Sequence, residues 1–119
     1  MRQFRFRAWH PEDKVMVYDL NSLRVFGGVL IPDDYKLMQF TGLKDKYGED
    51  VFEGDVLQCI YANEEEPEII IGKVEFDEEE AVYILIFGEN KDYLFNMQVE
   101  HYAKVIGNIY INPELLEEK

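Results

Sequence analysis

Apolar and polar residues alternate with a period of two along much of the chain, which is the pattern of half-buried β-strands. Near the N-terminus, Phe6 and Ala8 alternate with Arg5 and Arg7, and a proline-containing turn follows. A second short apolar segment comes directly after this turn. The alternation therefore predicts a β-hairpin over residues 3–19.

The same pattern recurs further along the chain, and it predicts five more strands. They are expected at residues 35–40, 56–61, 69–76, 81–87 and 104–111. Residues 95–102 favour a short helical turn instead. The segment 112–118 predicts one helical turn, with Asn112 as its N-cap and Pro113 at its first position.

Polar and flexible segments separate these elements. Residues 44–48 are expected to form a hairpin-type loop in which Gly48 supplies a positive φ. Acidic runs at such breaks are typical of solvated hairpin tips, which also discourage edge-to-edge aggregation. The remaining predicted breaks are Asn21-Ser22, Gly27-Gly28 and the acidic segments 63–68 and 77–80.

The chain is long enough for one domain with its own core. It has 119 residues, of which 47% are hydrophobic and 14% aromatic, and this excludes an acidic disordered tail. Arginines interrupt the apolar residues near the N-terminus, so a signal peptide is not expected. The longest apolar run covers only residues 81–87, which is too short for a membrane helix. We therefore expect a cytoplasmic protein without membrane partners.

The net charge is strongly negative and unevenly distributed. Twelve Lys and Arg oppose 25 Asp and Glu, which gives −13 and makes nucleic acid an unlikely partner. Residues 1–46 carry eight bases and six acids, a net of +2, whereas residues 47–119 carry four bases and 19 acids, a net of −15. A weakly positive lobe and a strongly negative lobe predict docking between copies, and thus a homo-oligomer.

Several blocks are too particular to be generic β sequence. Residues 37–48 read LMQFTGLKDKYG, and residues 51–56 read VFEGDV. Residues 5–9 read RFRAW, and residues 105–116 read VIGNIYINPELL. With these blocks the chain resembles the YopX family of small phage and prophage proteins. One departure is His10, where family members commonly carry Asp after the Trp.

The resemblance implies a mainly β fold, an SH3-type small barrel with an N-terminal β-hairpin lobe. We accordingly expect one YopX-like domain over residues 1–119. Its parts are an N-terminal β lobe at 1–49, the barrel at 50–112 and a short C-terminal helical turn at 113–119. The resemblance brings no established activity, catalytic residue or cofactor to this chain.

The Glu53-Gly54-Asp55 element offers two carboxylates two positions apart, which is a pattern that can bind a cation or share a proton. The same element can equally be structural. Gly54 then supplies a sharp turn, and both acids accept hydrogen bonds from backbone N–H groups. We favour this structural interpretation, and partner binding by Glu53 and Asp55 remains a second hypothesis.

Residues 41–48 form the other candidate site. Thr41 and Asp45 are expected to bond backbone groups, while Gly42 and Gly48 adopt conformations that other residues avoid. The segment lacks the spacing of a phosphate-binding loop, so nucleotide is not expected. A partner-binding loop is expected instead, with Thr41, Gly42 and Asp45 as candidate residues and Trp9 as a further one.

Catalytic and metal chemistry find little support in the sequence. Cys59 lies in the middle of a predicted strand, where a thiol behaves as a small buried hydrophobe. The histidines, His10 and His101, lie at opposite ends of the chain without a paired ligand spacing. We therefore expect no catalytic residue, no cofactor and no metal site.

The arginines and aromatics of the first nine residues allow two interpretations. Arg2, Arg5 and Arg7 alternate with Phe4, Phe6 and Trp9, a pattern that suits stacking on a single nucleic-acid strand. The strongly acidic remainder favours a strand whose Phe face packs on the core while its Arg face pairs with acids of the second lobe or of a neighbouring subunit.

The function that these features predict is that of a non-enzymatic phage or prophage accessory protein. It would act as a protein-interaction module, form homo-oligomers in the bacterial cytoplasm and bind a phage or host protein. The alternative is an acidic decoy whose carboxylates imitate DNA phosphates and occupy a host nucleic-acid enzyme. The acidic C-terminal part of the chain motivates this alternative.

Overall fold

The structure, a computed structural model, describes residues 5–18, 35–61 and 66–117. Several sequence predictions fall outside these ranges. They are the positions of Arg2 and Phe4, the breaks at Asn21-Ser22 and Gly27-Gly28, and part of the acidic segment 63–68.

The first sheet contains four antiparallel strands in the order β2-β1-β3-β4. Their bounds are β1 Phe6–His10, β2 Val15–Val17, β3 Lys36–Lys44 and β4 Asp50–Phe52. The predicted N-terminal hairpin is confirmed by the pairing of β1 with β2. Sequence patterning did not predict β4, which has only three residues.

His10 closes the turn of this hairpin. Its Nδ1 accepts a hydrogen bond from the Asp13 N–H at 3.0 Å, and its carbonyl accepts one from the Lys14 N–H at 2.8 Å. An Asp side chain would accept the same kind of bond from its own loop. His10 thus caps this turn with its own side chain.

The second sheet contains five antiparallel strands in the order β8-β7-β6-β5-β9. Their bounds are β5 Asp55–Tyr61, β6 Glu68–Asp77, β7 Val82–Phe87, β8 Asn90–Tyr93 and β9 Ala103–Asn108. The two sheets connect at the Glu53-Gly54 turn. The predicted mainly β, barrel-like fold is confirmed.

Two strand predictions need correction. The last strand ends at Asn108 rather than at residue 111, because the Asn108 Oδ1 accepts bonds from the Tyr110 and Ile111 N–H groups and turns the chain. Strand β8 was not predicted, since its four residues are mostly polar and show no apolar alternation.

The core lies on the concave side of the second sheet. A short 3-10 turn, Leu94–Met97, and the single-turn helix α1, Val99–Tyr102, cover it, which confirms the helical prediction for residues 95–102. Cys59 is fully buried there, as expected. The buried members of this cluster are Val51, Leu57, Cys59, Val74, Leu85, Leu94, Met97, Val99 and Ala103.

The C-terminal segment forms a 3-10 turn at Pro113–Leu116, with Pro113 at its first position as predicted. Asn112 stands at the N-cap position as predicted, but its side chain makes no capping bond. The Asn112 Oδ1 instead accepts a bond from the Asn108 N–H at 3.3 Å, because the turn after β9 brings these residues together. Within the described ranges, no helix has the length and apolar character needed to cross a membrane.

Candidate functional site

Asp45 holds the loop between β3 and β4 in one conformation. Its side chain is 4% exposed, and its Oδ1 accepts hydrogen bonds from the Tyr47 and Glu49 N–H groups, each at 2.9 Å. Its Oδ2 accepts a bond from the Val105 N–H of β9, also at 2.9 Å. One carboxylate thus organises the loop and joins it to the second sheet, so Asp45 itself has little surface left for a partner.

Thr41 and two glycines shape the rest of this loop region. The Thr41 hydroxyl donates to the Val51 carbonyl at 2.7 Å and accepts from the Leu43 N–H at 3.1 Å. Gly42 and Gly48 have φ values of 87° and 82°, which are conformations that other residues avoid. These contacts confirm the predicted backbone roles. Gly42 is exposed, with open space where a side chain would stand.

The loop presents a tyrosine that the sequence reasoning did not single out. Tyr47 is 69% exposed. The centre of its ring lies 5.2 Å from the Lys46 Nζ and 5.8 Å from the Lys104 Nζ. Lys104 reaches the ring because the Lys46 N–H donates to the Ala103 carbonyl and brings β9 to the loop. We call Lys46, Tyr47 and Lys104 the Tyr47 patch. The sequence signal was Tyr47 at the tip of a tight loop; Lys104 could not be placed from sequence.

The Glu53-Gly54-Asp55 turn lies at the other end of β4. The Glu53 Oε1 accepts the Gln39 N–H at 2.9 Å, and the Asp55 Oδ2 accepts the Phe52 N–H at 2.8 Å. Both acids therefore accept backbone bonds, as the structural interpretation predicted. Gly54 has a φ of 85°, and a Cβ there would lie 2.9 Å from the Met38 Sδ.

Asp55 also forms a buried ion pair. Its Oδ1 lies 2.8 Å from an Arg7 guanidinium nitrogen, and the two side chains are each 3% exposed. The same nitrogen of Arg7 donates to the Glu53 carbonyl at 3.0 Å. The guanidinium lies over the rings of Phe52 and Tyr18, at 4.8 and 5.9 Å from their centres. The Arg7 Nε finds no acceptor among the described residues.

The Arg face of β1 pairs with acids, as predicted, whereas the expected packing of its Phe face on the core is only partial. Arg5 bonds Asp50 at 2.8 Å in addition to the Arg7 pair. Arg7 is buried, whereas Phe6 is only half-buried, because the junction of the two sheets lies against Arg7. The side of β1 that pairs with acids is thus more deeply buried at Arg7 than the opposite side is at Phe6.

Trp9 is 8% exposed, and its ring stacks on Tyr110 with centres 5.4 Å apart. Burial is the main cause that raises the pKa of Tyr110. The predicted site residues therefore form two groups on either side of β4. Thr41 and Gly42 lie in β3, which continues to Lys44 beyond its predicted end at residue 40, and Asp45 lies in the loop that follows. Trp9, Glu53 and Asp55 lie on the other side of β4, toward the Arg7 pair.

Burial raises the pKa of Asp55 to about 6, although the Arg7 charge and the Phe52 N–H oppose the shift. Burial likewise raises the pKa of Glu53. Between about pH 4 and 6 the folded chain therefore holds more protons than the unfolded chain. Stability is then highest at the lower pH and falls as the pH rises through 6.

We expect the free energy of unfolding to be about 1–2 kcal/mol higher at pH 5 than at pH 7.5 through Asp55 alone. Urea denaturation at both pH values measures the difference. The Asp55→Asn variant is the control, because it cannot ionise and loses this component while it keeps any general relief of acidic repulsion. Equal pH dependence in both proteins would contradict the assignment.

Cys59 is a buried residue of the apolar core. Burial raises the pKa of the Cys59 thiol to about 11, so the thiol stays protonated at neutral pH. In the part of the chain that the structure describes, no three His, Cys, Asp or Glu side chains are grouped to hold a metal ion.

Comparisons with known proteins give a consistent result. The model of the YopX protein family matches residues 23–117, so the N-terminal RFRAW block lies outside the matched range. Protein EF1440 from Enterococcus faecalis is 26% identical with a TM-score of 0.65, and the alignment covers 98% of this chain and 100% of that one. Protein yopX from Bacillus subtilis is 22% identical with a TM-score of 0.55, covering 100% and 99%. No curated protein matches the chain.

Proposed function

The chain belongs to the YopX family, and we propose that it works as a non-enzymatic protein-interaction module, an accessory protein of a phage or prophage in the bacterial cytoplasm. The single observation that carries the proposal is the Tyr47 patch. A buried carboxylate with three backbone bonds fixes a loop whose tip residue is itself 69% exposed. Such pre-organisation lowers the entropic cost of binding a partner.

The chemistry of the patch suits a protein partner. Tyrosine is enriched in interface centres because it contributes a large contact area with few rotatable bonds. Lys46 and Lys104 make the patch locally basic in a chain whose net charge is −13. The partner surface is therefore acidic.

A second copy of this chain supplies such a surface. Residues 47–119 carry a net charge of −15, so the basic patch of one copy finds acidic surface on another. The proposed module is accordingly a homo-oligomer. Added salt weakens this contact, because exposed charges are screened over about 8–10 Å at ordinary ionic strength.

The non-enzymatic part of the proposal is supported by the burial and the protonation of Cys59, the thiol that could otherwise act as a nucleophile. Cys59 is fully buried with a protonated thiol, and it lies within the apolar core rather than at a cleft. The carboxylate oxygens of Asp45, Glu53 and Asp55 accept hydrogen bonds from backbone N–H groups, and Asp55 also pairs with Arg7. These acids therefore have structural partners already.

The Tyr47→Ser variant tests the proposal. We expect the parent protein to sediment above the monomer mass of 14.1 kDa, and Tyr47→Ser to weaken self-association about tenfold or more with unchanged thermal stability. Sedimentation velocity at several concentrations measures this. Phe95→Ser is the matched control, since Phe95 is 63% exposed and lies outside the patch. A parent protein that stays monomeric at high micromolar concentration, or equal association of both variants, would refute the role of the patch.

The acidic decoy is a second candidate function, and one observation favours it. The β6–β7 turn carries three exposed carboxylates, Glu78, Glu79 and Glu80, on a tip that Asp77 caps by accepting the Glu79 and Glu80 N–H groups. An ordered row of carboxylates can imitate phosphates. Capture of a host polymerase or nuclease that DNA competes away, and that is lost when the three acids become Gln, would support the decoy.

A further inference from the structure

In the part of the chain that the structure describes, strand β6 has a stretch of edge without a paired strand. It pairs with β5 from Glu68 through Lys73, but it pairs with β7 only from Lys73 to Asp77. Among the described residues, no strand is paired in register with the outer edge of residues 68–71. Ile69 and Ile71 in this stretch are 62% and 39% exposed. A free edge presents backbone N–H and C=O groups that another extended segment can bond.

An apolar groove runs beside this edge. It has a volume of about 550 Å³ and lies between the start of β6, the end of β7 and the C-terminal 3-10 turn. Its apolar lining includes Ile70, Phe87, Leu115 and Leu116. The groove therefore offers room for apolar side chains next to backbone groups that accept a strand.

The rim of the groove is acidic. Glu114 and Glu117 line it, Glu68 lies at the start of the free edge, and all three are exposed. Among the residues that the structure describes, no Lys or Arg lines the groove. Two copies of the chain that paired through this edge would place these carboxylates near one another, which disfavours a second copy as the occupant. A cationic segment would instead be attracted by these carboxylates.

We propose that this edge binds an extended peptide segment of a partner protein by β-strand addition, and that the segment alternates apolar and basic side chains. Its backbone continues the second sheet beside residues 68–71. Its apolar side chains enter the groove, and its Lys or Arg side chains contact Glu68, Glu114 and Glu117. This surface is separate from the Tyr47 patch, so the two proposals succeed or fail independently.

The probe for the test is a fluorescent eight-residue peptide of alternating Lys and Val, measured by fluorescence anisotropy with the full-length protein. We expect saturable binding that Ile69→Ser or Leu115→Ser weakens at least fivefold. A probe of the same sequence with every amide N-methylated keeps the charge but loses the donors for strand pairing, and we expect it to bind at least tenfold more weakly.

Tyr47→Ser and Phe95→Ser are the matched controls, and both are expected to bind the probe like the parent protein. Circular dichroism spectra show whether each variant is folded. If Ile69→Ser does not fold, probe binding by Leu115→Ser alone tests the groove. Equal binding of the N-methylated probe would reduce the effect to charge attraction and overturn the proposal. Absence of saturable binding by the parent protein, or binding unchanged in both groove variants, would overturn it as well.

Discussion

Replacement of Asp55 by alanine is expected to lower the free energy of unfolding by about 3–5 kcal/mol. The substitution leaves the Arg7 guanidinium buried without its carboxylate, and it removes the acceptor of the Phe52 N–H. Both groups have lost their water, so neither loss is compensated by solvent. Urea denaturation at pH 7.5, followed by circular dichroism, measures the change.

The double variant Arg7→Met, Asp55→Leu is the matched control. It removes both charges together, and buried ion pairs replaced by apolar side chains of similar size are often neutral or stabilising. We therefore expect the double variant to recover most of the stability that Asp55→Ala loses. A loss below about 1 kcal/mol in Asp55→Ala would show that the pair is not buried in solution.

Replacement of Asp45 by alanine is expected to cost about 2–4 kcal/mol, because the N–H groups of Tyr47, Glu49 and Val105 lose their acceptor at once. The same change should weaken self-association, since the loop that carries Tyr47 is no longer held. Thermal melting and sedimentation velocity measure the two effects on one sample. The Tyr47→Ser variant, by contrast, should affect association alone.

Glu49→Ala serves as the control for Asp45→Ala. Glu49 neighbours the same loop, but its side chain is exposed, so its removal is expected to change stability by less than about 0.5 kcal/mol. If Asp45→Ala melts like the parent protein, the loop is not held by the carboxylate. Lost stability with intact association would separate the loop from the proposed interface.

Much of the fold could be predicted because local patterns dominate it. Alternation marked β1, β2, β5, β6 and β7, and the residues between β8 and β9 lacked that alternation and proved helical. Turn chemistry is similarly local, and Gly48 and Gly54 have the positive φ values expected of them. Strands β4 and β8 escaped prediction, since β8 is mostly polar and β4 has only Val51 and Phe52 as apolar residues before the Glu53-Gly54 turn.

The candidate site was harder to predict because its contacts join distant parts of the chain. Asp45 was recognised as a residue that bonds backbone, but Val105 as a donor to it is a property of the fold. Pairing of Arg7 with an acid was expected, but its burial depends on contacts of the fold such as that with the Glu53 carbonyl. Lys104 approaches Tyr47 because the Lys46 N–H donates to the Ala103 carbonyl, which is another contact between distant parts of the chain. The sequence thus predicted which polar side chains make structural hydrogen bonds and ion pairs, but not which distant residues are their partners.

The hydrogen bond between Asp45 and Val105 joins residues 60 positions apart. Strand β9, which contains Val105, also completes the second sheet by pairing with β5. Contacts of such long range form late, since the intervening chain must first be ordered or at least synthesised. On the ribosome, the Tyr47 loop therefore reaches its final conformation only after Val105 has emerged. A nascent chain that ends before β9 would present the Tyr47 loop without the bond that ties it to the second sheet.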